Sequence, residues 1–215
     1  MRTPVLDVFR PALWLSARLY FGIRFEGVHH IPASGPIIIV PNHVTYADPP
    51  LVTIPVRRPV YYMAWNRLFR IRGLSWLIRR LRAFPVEIES ADPRAARETV
   101  RLLQAGEAVM IFPEGGRSLD GRLGRFKPGA FRLGCSLGVP ILPVTIAGGH
   151  ECWPPGRPFP KPGRLTITYH PLIHPAPSDD LRAAAQELAQ RVCRVIASAL
   201  PPHERPASEA SDAAP

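Results

Sequence analysis

Short apolar runs set between turn residues and helical stretches constrain this chain more than any other feature. They fall at Ile37–Val40, Val60–Met63, Phe84–Val86, Val109–Phe112, Ile141–Ile146 and Leu165–Tyr169. Runs this short and this apolar read as buried strands. Between them, Asp92–Ala105 reads as a helix with Asp92 as its cap, Pro93 in its first turn and Gly106 at its end, and a second helix runs from Ser178 to about Leu200. Strands alternating with helices predict an α/β fold, a central mixed sheet flanked by helices, with ligands received at loops beyond the strand ends.

The chain has 215 residues, enough for one well-buried core. Residues 26–200 are expected to form the catalytic domain. From Val5 to Phe25 the sequence is rich in Leu, Trp, Tyr and Phe but interrupted by Arg10, Arg18 and Arg24. That is not the pattern of a cleavable signal peptide, and residues 1–25 read as an amphipathic membrane-associating helix with Trp14, Leu15, Tyr20 and Phe21 as anchors. Residues 201–215 read as a disordered tail. No stretch approaches the roughly 20 uninterrupted apolar residues of a membrane-spanning helix.

A formal charge of +10 favours a polyanionic partner: nucleic acid, anionic lipid or a phosphate-rich cosubstrate. No zinc-finger or aromatic-glycine RNA-binding signature accompanies the dispersed arginines, so no nucleic-acid partner is expected. Cys135, Cys152 and Cys193 are odd in number and widely spaced, which fits neither a disulfide framework nor a zinc site and suits a reducing compartment. His170 and His174 are separated by Pro171, which breaks the helix that would align them on a metal, so no metal is expected.

Two loops carry chemistry. After the first apolar run comes Pro41-Asn42-His43-Val44-Thr45-Tyr46-Ala47-Asp48-Pro49. An imidazole can take a hydroxyl proton, and a carboxylate on its other nitrogen fixes the tautomer and stabilises the cation, so His43 and Asp48 suggest a base and its orienting acid. Residues five apart are offset by roughly 140° on an ideal helix, so a turn must bring them together. After the fourth run comes Pro113-Glu114-Gly115-Gly116-Arg117-Ser118, followed by Arg122, Arg125, Lys127 and Gly129. Glycines allow close backbone approach, and Arg117 can present a fork to phosphate, with Glu114 either anchoring that arginine or meeting an acceptor hydroxyl.

Together these segments strongly resemble the glycerophospholipid acyltransferase family, whose best-known members acylate lysophosphatidic acid. The family's first block is His, four residues, Asp, matched by His43 and Asp48. Its third is Phe-Pro-Glu-Gly-Thr-Arg-Ser, matched by Phe112, Pro113, Glu114, Gly115, Arg117 and Ser118 with Gly116 in place of threonine. Phe126-Lys127-Pro128-Gly129 and the apolar Val139–Val144 resemble the segments that follow, and the similarity runs from about Gly27 to Gly148.

The resemblance implies attack of a lipid hydroxyl on a fatty acyl thioester without an acyl-enzyme. His43 would be the base, Asp48 its support, and Glu114, Gly115, Arg117, Ser118 and Lys127 would hold donor or acceptor. It implies acyl-CoA or acyl-carrier protein as cosubstrate, no bound cofactor, membrane lipids as partners, and a peripheral position on the cytoplasmic face of a cell membrane. One departure bears on the acceptor. The family's second block carries two basic residues associated with the acceptor's phosphate, and here Trp65 and Ile88 occupy those positions. Lysophosphatidic acid is thereby less secure as the acceptor: either Arg67, Arg70, Arg79, Arg80 and Arg82 compensate, or the acceptor is an alcohol that lacks phosphate.

Two rival readings are set against this one. Gly134-Cys135-Ser136-Leu137-Gly138 fits the nucleophile pattern of serine hydrolases, but it follows a helix rather than a strand, so Ser136 reads as a helix-terminal residue. The non-enzymatic alternative is a membrane lipid-binding relative of the same fold, against which the intact His43 and Asp48 stand.

Overall fold

The computed structural model describes residues 4–87 and 92–206, with side chains from residue 8 onward. Ile88, residues 1–3 and the end of the expected tail, 207–215, lie outside the described residues. In chain order the elements are α1 (Pro4–Phe21), β1 (Arg24–Glu26), β2 (Ile37–Pro41), α2 (Asp48–Thr53), β3 (Val60–Trp65), α3 (Arg72–Arg80), β4 (Ala83–Val86), α4 (Pro93–Gln104), β5 (Ala108–Met110), α5 (Gly129–Leu137), β6 (Ile141–Ala147), α6 (Gly149–Cys152), β7 (Thr166–Tyr169) and α7 (Leu181–Ser198).

The seven strands form one sheet in the order β1-β7-β6-β2-β5-β3-β4. Every neighbouring pair is parallel except β6 with β7, so the sheet is mixed. All five residues of β2 are buried, as a strand covered on both faces requires. Its side chains alternate between two cores. Ile37 and Ile39 join the cluster that packs under Leu13, Ala17 and Phe21 of α1, Leu51 and Val52 of α2, and Ile78 of α3. Ile38 and Val40 join the opposite cluster, with Leu102 and Leu103 of α4, Phe131 of α5 and Val192 of α7. Helices α1, α2 and α3 therefore cover one face, and α4, α5 and α7 the other.

The capping signals act as their chemistry dictates. Asp92 accepts from the amides of Arg94 and Ala95 at 2.9 and 3.2 Å, and Asp180 caps α7 by the same geometry. α5 ends at Gly138 in a left-handed conformation, φ 64°. Among the described residues no helix is long and apolar enough to cross a membrane.

Three local features differ from expectation. The helix expected over residues 1–25 ends at Phe21, and Arg24–Glu26 form an edge strand paired with β7. Phe21 packs into the core instead of facing outward. Past Pro201 the chain is ordered through residue 206: Pro202–Glu204 form a helical turn, Glu204 is only 3% exposed, and its carboxylate accepts from Gly148 N at 3.0 Å.

Candidate active site

β2 and β5 are parallel neighbours, with Ile39 opposite Met110, and Ile111 N donates to Ile39 O at 2.9 Å. Loops leaving the same ends of adjacent parallel strands emerge side by side. This register brings together two motifs that lie some 70 residues apart in sequence.

The β2 loop turns over His43–Ala47, and Asp48 is the first residue of α2. Asp48 is fully buried, at 0% exposure, and its carboxylate is the hub of the turn. Oδ2 accepts from Val44 N at 2.7 Å, from Thr45 N at 2.8 Å and from His43 Nδ1 at 2.8 Å. Oδ1 accepts from the Thr45 hydroxyl at 2.5 Å, and that hydroxyl in turn accepts from Ala47 N. A carboxylate only accepts, so the imidazole proton sits on Nδ1 and Nε2 is left with its lone pair free. The ring stacks on Phe112, centroids 4.0 Å apart, and the histidine side chain retains 18% exposure.

Asn42 secures the other side of the loop. Its side-chain amide donates to Ile146 O at 2.9 Å, and its carbonyl accepts from Ile146 N at 2.7 Å, clamping the end of β2 to β6.

Glu114 is not anchored to Arg117. Its Oε1 accepts from His43 N at 2.8 Å and its Oε2 from Gly124 N at 2.9 Å. Burial pushes its carboxyl above the ordinary range, and these two amides oppose the shift. Ser118 N donates to His43 O at 2.8 Å, so the second loop holds both backbone polar groups of the histidine. The Ser118 hydroxyl is engaged within its own loop, near Arg122 O at 2.7 Å and Asp120 Oδ1 at 3.0 Å.

The cations take separate places. Arg117 stacks on the exposed ring of Tyr46, its guanidinium carbon 3.5 Å from the centroid. Lys127 lies over Gly115, whose φ of 73° favours glycine; a Cβ there would stand 2.4 Å from Nζ, so the lysine would have to shift. Arg117, Arg122 and Arg125 line an open cavity of ≈ 530 Å³ that also includes Glu114 and Ser118. His43 adjoins it through those two residues. At the lost second-block position, Trp65 ends β3 and the Arg67 guanidinium covers its ring at 4.8 Å. Ser136 sits near the end of α5 with its hydroxyl donating to Leu133 O, as a helix-terminal serine does.

The fold brings His43, Asp48, Glu114 and Ser118 into one place through hydrogen bonds, and adds two residues that the sequence did not single out for the site, Asn42 and the stacked Phe112. Asn42 had one usable signal: a polar side chain directly after five buried strand residues must find partners.

The mixed α/β sheet thus presents a His–Asp pair at one strand end and a cationic loop at the next. The sequence model of the Acyltransferase family matches residues 22–147, and the chain belongs to that family. It is 30% identical over 189 residues to the 1-acyl-sn-glycerol-3-phosphate acyltransferase of Pseudomonas aeruginosa, covering 85% of this chain and 70% of that protein. It is also 30% identical over 181 residues to a chloroplastic 1-acyl-sn-glycerol-3-phosphate acyltransferase of Arabidopsis thaliana, covering 80% of this chain and 50% of that one. The chain thus spans about half the length of the chloroplastic relatives it matches. The crystal structure of the 1-acyl-sn-glycerophosphate acyltransferase PlsC from Thermotoga maritima superposes with a TM-score of 0.69 at 29% identity, covering 88% of this chain and 77% of that one.

Proposed function

We propose that this protein transfers a fatty acyl group from acyl-CoA or acyl-carrier protein to a lipid hydroxyl at a membrane surface. The observation that carries this reading is the His43 imidazole, held at Nδ1 by a buried carboxylate while its side chain keeps 18% exposure. In the proposed step Nε2 takes the acceptor's hydroxyl proton as its oxygen attacks the thioester carbonyl. Asp48 stabilises the imidazolium that forms. Collapse of the tetrahedral oxyanion breaks the C–S bond, and the proton passes from the imidazolium to the departing thiolate.

Arg117 is assigned to the phosphate-bearing portion of donor or acceptor by its charge and its place in the cavity lining, and Lys127 by its charge, with Gly115 the backbone position over which that lysine lies. Glu114 and Ser118, whose polar atoms are engaged by the loops, are assigned to positioning. The outward residues of α1, among them Phe9, Trp14, Leu15 and Leu19, suit a helix lying in the headgroup region, with the protein peripheral on the cytoplasmic face.

The relatives' names point to 1-acyl-glycerol-3-phosphate as the acceptor. Trp65, where the family has a basic residue, favours a second reading in which the acceptor alcohol lacks phosphate. Purified protein with palmitoyl-CoA and each acceptor class decides between them, read as thiol release. Release should require an acceptor and should vanish in His43→Ala. Release without an acceptor, or unchanged in that variant, refutes the acyl-transfer reading.

A further inference from the structure

α3 is a short helix whose outer side is apolar and cationic at once. Its inner side, Ile78 with the following Leu81, packs on the same core that α1 covers. Its outer side runs through Arg72, Trp76, Leu77 and Arg80, all exposed, with Ile71 just before it. Ile71, Trp76 and Leu77 are 56%, 58% and 41% exposed, a concentration of large apolar surface that water disfavours.

The stretch of chain that contains this helix carries charge of one sign as far as Val86, and Glu87, the next residue, accepts from Asn66. Residues 49–86 contain Arg57, Arg58, Arg67, Arg70, Arg72, Arg79, Arg80 and Arg82 and no aspartate or glutamate. Arg80 lies over the ring of Trp76 at 5.0 Å and Arg79 over Phe69 at 4.9 Å. An indole capped by a guanidinium on a helix surface can insert its ring at headgroup depth while the cation reaches phosphate.

Position adds a second argument. α1, α2 and α3 all pack on one face of the sheet, α1 beside β1 and β7 and α3 beside β4. β1 and β4 are the outermost strands, roughly 29 Å apart at ordinary strand spacing. Between the two helices stands α2, whose first residue is Asp48.

We propose that α3 and Ile71 form a second docking surface, which receives an anionic lipid bilayer, so that contacts at α1 and α3 hold the membrane across the face carrying the His43 loop. The surface is independent of the catalytic chemistry, and it extends the membrane reading made for α1. An acidic soluble protein would meet the arginines equally well but leaves Ile71, Trp76 and Leu77 facing water, so the bilayer is favoured.

Cosedimentation of the full chain with phosphatidylcholine vesicles, with and without about 30% phosphatidylglycerol, tests this. Trp76→Ala/Leu77→Ala and, separately, Arg72→Glu/Arg80→Glu should each weaken binding to the anionic vesicles at least about tenfold. All four side chains are exposed, so both variants should keep the wild-type circular dichroism, and two independent pairs guard against failure of one to fold. Vesicle binding unchanged in both variants overturns the proposal. So does loss of binding to a purified acidic carrier protein while vesicle binding persists. If vesicle binding follows α3 but the wild type acylates no acceptor, the docking surface stands and the catalytic reading fails.

Discussion

The backbone amide of His43 donates to the carboxylate of Glu114 across 2.8 Å, and the other oxygen of that carboxylate is taken by Gly124 N. One partly buried side chain therefore ties the histidine loop to the cationic loop. Glu114→Gln places an amide NH2 against one of these two donors, a mismatch costing about 1–3 kcal/mol. A positioning role predicts a fall in kcat of about tenfold or more with KM for the acceptor preserved. A rise in KM at unchanged kcat would return Glu114 to direct acceptor binding.

Asp48→Asn separates charge from geometry. The asparagine carbonyl can keep the three donors now on Oδ2, and the Thr45 hydroxyl can rotate to accept from the new NH2. The turn should survive, with a stability loss of about 1.5–3 kcal/mol from the weaker, uncharged bonds. The rate should fall much further, on the order of 10²–10⁴-fold, because the imidazolium has lost its counter-charge. Thermal melts and single-turnover acyl transfer on the same preparation check both halves.

The elements that form this site were legible where burial imposes a pattern. The apolar runs Ile37–Val40 and Val109–Phe112 marked β2 and β5, although β2 extends to Pro41 and β5 spans only Ala108–Met110, and the five-residue spacing of His43 and Asp48 ruled out a helix and required the turn that is observed. β1 was illegible because a three-residue edge strand with Arg24 and Glu26 outward and only Phe25 inward has no run to detect. The pairing of Glu114 with an amide 71 residues away depends on strand order, which local sequence does not encode. The basic residues near Glu114 suggested an ion pair, but burial favours a carboxylate whose oxygens are both satisfied by fixed backbone donors.

Asn42 is the clearest residue the sequence concealed. Its amide satisfies both polar groups of Ile146 in a buried setting. Asn42→Ala leaves a backbone N–H and a C=O without partners and should cost about 3 kcal/mol, read as a reduced denaturation midpoint. Activity measured well below that midpoint should fall as well, because the adjoining His43 then rests on a loosened strand end.

On α1 the apolar residues fall into two sets that respond oppositely. Leu15 and Leu19 are exposed, whereas Phe21 packs on the core. Leu15→Ser/Leu19→Ser should weaken vesicle binding and leave the melting temperature nearly unchanged. Phe21→Ser should lower stability by about 2 kcal/mol with vesicle binding of the folded fraction retained. A deletion of residues 1–25 is a poorer test, since it removes the β1 residues Arg24 and Phe25 and the buried Ile23 along with the helix.

The C-terminal turn supplies a pH-dependent prediction. Burial raises the Glu204 carboxyl above its ordinary 4.5, opposed by the bond from Gly148 N and by His203. Its Oε2 is buried without a hydrogen-bond partner, so ionisation leaves a charge poorly solvated. A carboxyl whose pKa is higher folded than unfolded binds more protons in the folded state, so its stabilising contribution is complete below 4.5 and is lost as pH rises through the folded pKa. Glu204→Gln retains an acceptor for Gly148 N and cannot ionise. The melting temperature of Glu204→Gln should therefore gain on the wild type as pH rises from about 4.5 toward 8, and the difference should level off once the wild-type carboxyl is fully ionised. A difference in melting temperature that stays flat across this range would show that Glu204 titrates alike in the folded and unfolded chain.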